Sequence, residues 1–406
     1  MIVGEFLKWA QSASAARRAE GASALARAYL YSNLDPASRR EAAVALTALA
    51  DDLSPGVRRA LADALAGAPQ APRALIAALA KDQSNVAAPI LSRSPLLSEA
   101  ELIDCARIGD ALAQTAIGRR AHVPPGLAAA LADLGGREAA ITLAMNPGAH
   151  LTEAAMRRLV ERFGDDGELR EALLARPFLP AAIRSQLVQA TASSLTAFAV
   201  DRAWLSPERA ERLSREALEK SNVIISAQTS GPGRKGLRAL VSHLRRSGQL
   251  TASLLLRALL SGRRDFFEAT LAELSGLSEE RVAGQLNAFK GAGFAALYVK
   301  AGLPAKFLPA FRAALEAIGE TGASTGAEEE AGLRLAIVEP VLARCDRVNG
   351  GELDRLMSLL RRFETEAAIE AARFEATALA PRAAPRRLPP PMVDMRALEQ
   401  ALAEAA

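Results

Sequence analysis

Cysteine, histidine and aromatic residues are scarce in this chain, and each scarcity excludes something. The 406 residues include two cysteines, Cys105 and Cys345, and three histidines, His122, His150 and His243. Two cysteines so far apart cannot build a disulfide framework, and the usage suits a reducing cytoplasm. No histidine has a second histidine or a cysteine within a helical turn, so no local donor set for a metal exists. No His-Glu pair of the kind used by helical-repeat hydroxylases occurs. The phosphate-loop spacing GxxxxGK[ST] is missing as well. No run approaches the roughly 20 apolar residues that span a bilayer. The first residues, MIVGEFLKWAQ, carry Glu5 and Lys8 within their apolar run, unlike a secretory leader. The paired carboxylates Asp51-Asp52 and Asp165-Asp166 fall at helix ends or turns, where they cap and solubilise. The expectation is a soluble, cytoplasmic, non-enzymatic protein with no cofactor, no metal and no membrane contact.

What is present is alanine and leucine, in a chain that is half hydrophobic. That composition predicts helix, with enough apolar residues for a large core. Residues 1–34 read as two helices. Asp35-Pro36 and Ser54-Pro55 then each place a capping side chain before a proline at the first helical position. From there a mark recurs: a small or apolar residue, then Ser, Thr or Pro opening a helix. It appears at Ala71-Pro72, Leu97-Ser98, Val123-Pro124, Leu151-Thr152, Leu179-Pro180 and Leu205-Ser206, at intervals of 26, 26, 28, 28 and 26 residues. It returns at Leu250-Thr251, Leu277-Ser278 and Leu303-Pro304 after an interruption of 45. Ser98 with Glu101 forms a capping box. Breaks midway, at Gly109, Gly135-Gly136 and Gly164, divide a unit into two short helices. Such a unit cannot bury its own apolar face, whereas stacked neighbours can. The fold class expected is all-α, an α-solenoid of short two-helix repeats with a helical C-terminal extension.

The division of the chain follows. Residues 1–34 are N-terminal helices, 35–230 a first repeat array, and 231–320 a second array with a basic face. Residues 321–380 form a helical extension, entered through a glycine-rich acidic break. PRAAPRRLPPP at 381–391 reads as a semi-rigid linker, and 392–406 as a short amphipathic helix.

Charge is distributed unevenly. No acidic residue lies between Glu219 and Asp265, while Lys220, Arg234, Lys235, Arg238, Arg245, Arg246, Arg257, Arg263 and Arg264 do, so this interval carries +9 in a chain of net +4. Within it, Leu237, Leu240, Val241 and Leu244 recur at helix spacing, and Arg234, Lys235, Arg238, Arg245 and Arg246 fall on another face. This face reads either as an ordinary solvated surface or as a dock for an acidic protein or a phosphate. Arg263 and Arg264 extend the candidate set. GPGRKG at 231–236 reads as a plain loop or as a weak anion cradle at a helix start. Leu255, Leu256, Leu259 and Leu260 lie on a helix apolar nearly all round and belong inside. Arg257 among them needs a carboxylate or solvent. Phe266 and Phe267 stand beside the same apolar run and read as core. That leaves single-stranded nucleic acid without stacking partners among the basic residues. Binding of an acidic protein partner is therefore the first reading. Nucleic-acid binding through 220–264 is the alternative. The sequence leaves the oligomeric state open.

The stretch LRALVSHLRRSGQLTASLLLRALLSGRRDFFEATLAELSGLSEERV, with GFAALYVKAGLP after it, resembles an alphaproteobacterial domain-of-unknown-function family. NVAAPILSRSPLLSEAEL, AITLAMNPGAHLTEAAM and ELREALLARPFLPAAIRSQL look like that family's HEAT-like, leucine-rich-variant repeats. The resemblance spans roughly residues 20–320 and implies an all-helical repeat fold. It implies no activity, and no residue acquires a catalytic role from it.

Overall fold

The computed structural model describes residues 2–229, 234–321, 337–343 and 354–379. The linker at 381–391, the amphipathic segment 392–406 and Cys345 lie outside the described residues. Among those described, no strand forms, and no helix is long and apolar enough to cross a membrane. Two units are distinguished, Met1–Gln249 and Leu250–Ala406.

In the first unit the capping residues do start helices. α1 (Ile2–Ser12) and α2 (Ala15–Tyr31) are followed by α3 (Pro36–Ala50), whose Asp35 side chain accepts from the N–H groups of Ala37 and Ser38. α4 (Pro55–Leu65) starts on proline alone, because Ser54 makes no side-chain cap bond. Next come α5 (Arg73–Leu79), α6 (Ser84–Arg93), α7 (Glu99–Ile108), α8 (Ala111–Gly118), α9 (Pro125–Leu134), α10 (Arg137–Met145), α11 (Glu153–Phe163) and α12 (Gly167–Leu174). The Ser98–Glu101 capping box is complete at the start of α7. Gly109 and Gly135 turn the chain between the helices of their repeats. A Cβ there would lie 2.6 Å from the Cys105 carbonyl oxygen and 2.5 Å from that of Leu131, too close for any other residue.

The packing is that of a solenoid-like stack. α2, α4, α6, α8, α10 and α12 contact in succession along one row, and α7, α9, α11 and α13 along the other. Leu61, Ile76, Ile90, Ile117, Leu127, Leu143 and Leu159 fill the space between rows, all fully buried. Such burial is worth about 1.5–3 kcal/mol per large aliphatic side chain.

The rows are also latched by polar groups. Helix ends leave carbonyls without partners, and here the following repeat supplies donors. The Arg120 guanidinium donates to the carbonyls of Leu91 and Ser94, both at 2.7 Å, at the end of α6. Asn146 donates through Nδ2 to Gly118 and Arg120, also at 2.7 Å, at the end of α8. Arg176 donates to Ala144 at 2.9 Å, Asn146 at 3.0 Å and Ala149 at 2.6 Å, at the end of α10 and just past it. A single parallel bridge, Val123 with Ala149, joins the loops of adjacent repeats.

The regular repeat stops at Pro180. Two short helices were expected after Leu179. Instead α13 (Ala181–Asp201) and α14 (Pro207–Ala227) each run for 21 residues. The reason lies in the sequence: neither stretch contains the internal glycine that broke the earlier units. α15 (Lys235–Arg246), expected to open the second array, instead packs on α13 within the first unit. Polar side chains reinforce that placement. Ser185 donates to Asn222 Oδ1 at 2.7 Å, Asn222 to Gln249 Oε1 at 3.0 Å, and Gln249 to Gln189 Oε1 at 2.9 Å.

The second unit contains α16 (Ala252–Leu260), α17 (Arg264–Ser275), α18 (Glu279–Asn287), α19 (Ala292–Lys300), α20 (Leu308–Thr321), the helical stretch 337–343 as α21, and α22 (Asp354–Leu379). Leu255, Leu256, Leu259 and Leu260 are interior, as their helix pattern required, and Leu254 is buried with them. This core is aromatic where the first is aliphatic. Phe267 stacks on Phe311 at 5.3 Å, and Tyr298 meets Phe311 at 5.2 Å. The Tyr298 hydroxyl donates to the Pro304 carbonyl, and burial pushes its pKa up.

Candidate interaction surface

α15 sorts its residues by face. Leu237, Leu240, Val241 and Leu244 are buried against the unit, and Lys235, Arg238, Arg245 and Arg246 are exposed. At 100° per residue the basic set spans one side of the helix, and the apolar set is centred nearly opposite. Arg234, half-buried, precedes the helix in the left-handed backbone region at φ 49°. Residues 231–233 of the glycine-rich loop lie outside the described residues. The Arg246 Nε donates to the Ser242 carbonyl at 3.3 Å, within its own helix.

Arg263 and Arg264 belong to the second unit and are half-buried there. Arg263 pairs with Asp265 at 2.7 Å, and Arg264 donates to Asn287 Oδ1. Arg257 is buried, pairs with Glu366 at 2.6 Å and lies over the Phe363 ring at 4.2 Å. The +9 interval thus divides. Its first part presents charge on α15, and its last part is engaged within the second unit. Phe266 and Phe267 are fully buried and offer nothing to a stacked base.

His243 lies at the edge of the apolar stripe, 7% exposed, with no hydrogen-bond partner at Nε2. Burial holds its pKa below the usual histidine value, and Arg246 and Arg157 push the same way. Cys105 is half-buried with its thiol pKa raised, chiefly by burial, which suits packing rather than reactivity.

The structure also assembles what spacing did not reveal. His122 and His150, 28 residues apart, occupy equivalent loops of adjacent repeats, and their rings meet edge to face at 5.0 Å. The repeat period could have aligned them. No group of three or more His, Cys, Asp and Glu side chains comes together among the described residues.

Residues 86–349 match the sequence profile of a family described as an uncharacterised protein conserved in bacteria, DUF2336. The match begins at Val86, well after residue 20, and reaches beyond 320. No curated protein and no solved structure matches the chain.

Proposed function

Because the chain belongs to this bacterial family, whose description names no reaction, we propose its function from the surface itself: a non-enzymatic scaffold that docks an acidic segment of a partner protein on α15. The observation that carries this reading is the sorting of α15, an apolar stripe buried and four cations exposed with no acidic residue in the helix. Arg234 and Lys235 stand at the N-terminal end, where the helix dipole already favours negative charge. Cations there oppose the helix dipole, which an anionic group from a partner would offset. An acidic partner would meet both the side chains and the dipole.

The test reverses Arg238 and Arg245, both exposed, to glutamate, with thermal melting to verify that the variant stays folded. Association with an acidic protein captured from the native host should slow and lose its salt dependence. Unchanged binding by the double reversal refutes the docking reading. If the captured material is instead destroyed by nuclease and its affinity falls steeply with salt, the nucleic-acid alternative replaces it.

A further inference from the structure

We propose that the outer half of the α13–α14 hairpin is a self-association face whose occupant is the same hairpin of a second copy. The hairpin outgrows the stack that carries it. Twenty-one residues give each helix a length of about 31 Å, whereas α7 to α12 have 8–11 residues. The buried residues of α13 end at Leu187, and those of α14, apart from Ala210, begin at Glu219. Between these limits lies an open groove of about 690 Å³ with no charged residue in its lining. Leu195 is 63% exposed, Trp204 69% and Phe198 46%. Scattered apolar side chains are normal on a surface, but a contiguous apolar groove marks a contact.

Shape and charge select a second copy as the occupant. One end of the groove is an aromatic knob, with Trp204 edge-on to Phe198 at 5.4 Å. The other end is an aliphatic floor of Leu174 and Leu187. A two-fold antiparallel pairing sets each knob over the other copy's floor. The polar rim along residues 207–218 carries Glu208, Glu211 and Glu216 against Arg209, Arg212 and Arg215, three of each sign. A strongly acidic or basic partner would meet as many like charges as unlike ones, whereas an inverted copy can match them. The area sets the strength. Fourteen residues beyond Leu187 reach about 21 Å, and two adjacent helices are about 20 Å wide. The footprint of about 400 Å² per copy falls short of the roughly 800 Å² per partner of a stable interface. The dimer should therefore be reversible, with Kd on the order of tens of micromolar.

Sedimentation equilibrium of the full chain between about 1 and 200 µM reads this directly. A monomer–dimer equilibrium is expected, weakened about 30-fold or more by Trp204→Glu and by Leu195→Glu, as for burying a charge at an apolar contact. Both sites are exposed, so thermal melting should confirm folded variants. In a Trp9→Phe background the emission of Trp204 should shift to the blue over the same concentration range. A chain that remains monomeric at the top of the range, with unshifted emission, overturns the proposal. So does a dimer untouched by either substitution, whose interface must lie elsewhere. Loss of the dimer on deleting residues 381–406 overturns it too, by assigning association to the tail. These outcomes leave the reading of α15 unaffected.

Discussion

Replacing Arg176 with methionine tests whether the latches between repeats carry stability or merely decorate a hydrophobic stack. Methionine keeps most of the aliphatic stem, so the change removes chiefly the guanidinium. Three carbonyls, of Ala144, Asn146 and Ala149, lose their donor together. A hydrogen bond to a charged group contributes about 1.5–3 kcal/mol when its partner is stranded by removal. Arg176 is only half-buried, so water can reach part of the vacated site. Burial also lowers the pKa of Arg176, a sign that its charge is held at some desolvation cost, which the substitution returns. The three bonds are not additive, and about 2–4 kcal/mol for the site as a whole is the consistent estimate. For a unit of this size each kcal/mol moves the midpoint by about 2–4 °C, so the first unit's transition should fall by about 4–16 °C in calorimetry. Arg107→Met is the matched control. Its pair with Asp104 spans 3.6 Å between exposed side chains, worth under about 1 kcal/mol. If both variants melt within about one degree of each other, the latches are incidental and the stack is held by apolar burial alone.

Leu256→Ala should cost about 2–5 kcal/mol, because Leu256 is buried within the second unit; an unchanged denaturation midpoint would contradict that placement. His243→Leu bears on pH. A histidine whose pKa burial lowers in the folded state has no effect while both states are neutral, and stability falls as pH drops below the unfolded value of about 6.5 toward the lower folded value. The native chain should therefore lose stability relative to the variant by up to about 1.4 kcal/mol per pH unit below that point. Parallel stability curves from pH 7.5 to 5 would exclude such a role. Ser98→Ala should cost about 1 kcal/mol by undoing the capping box, measured by urea denaturation, and a neutral result would show that the Glu101–Arg73 contact compensates.

The fold was legible because its punctuation is local. A capping residue, a proline at the first turn and a midway glycine act within a few positions, and the repeat period exposes them from Ala71 to Leu179. The same logic explains the misplaced element. Nothing local in Lys235–Arg246 states which neighbour its apolar stripe will cover, and α13 was made fifty residues earlier. Charge was legible only as a sum. Arg238 and Arg264 look alike in a linear run, yet one is exposed on a helix and the other reaches Asn287 across a turn of chain. Arg257 is the extreme case, since its carboxylate is 109 residues away. The hairpin groove was hidden for a simpler reason: the missing glycines lengthen α13 and α14, but only packing reveals that their neighbours stop short.

The latches of Arg120, Asn146 and Arg176 all point backwards along the chain, each closing carbonyls made some 26–32 residues earlier. Synthesis runs the other way. As the chain emerges, α6, α8 and α10 each wait with open helix ends until the next repeat has been translated, a lag of about 1.5–6 s at ordinary elongation rates. Over this stretch the growing array ends in one unfinished unit, which is finished only by beginning another.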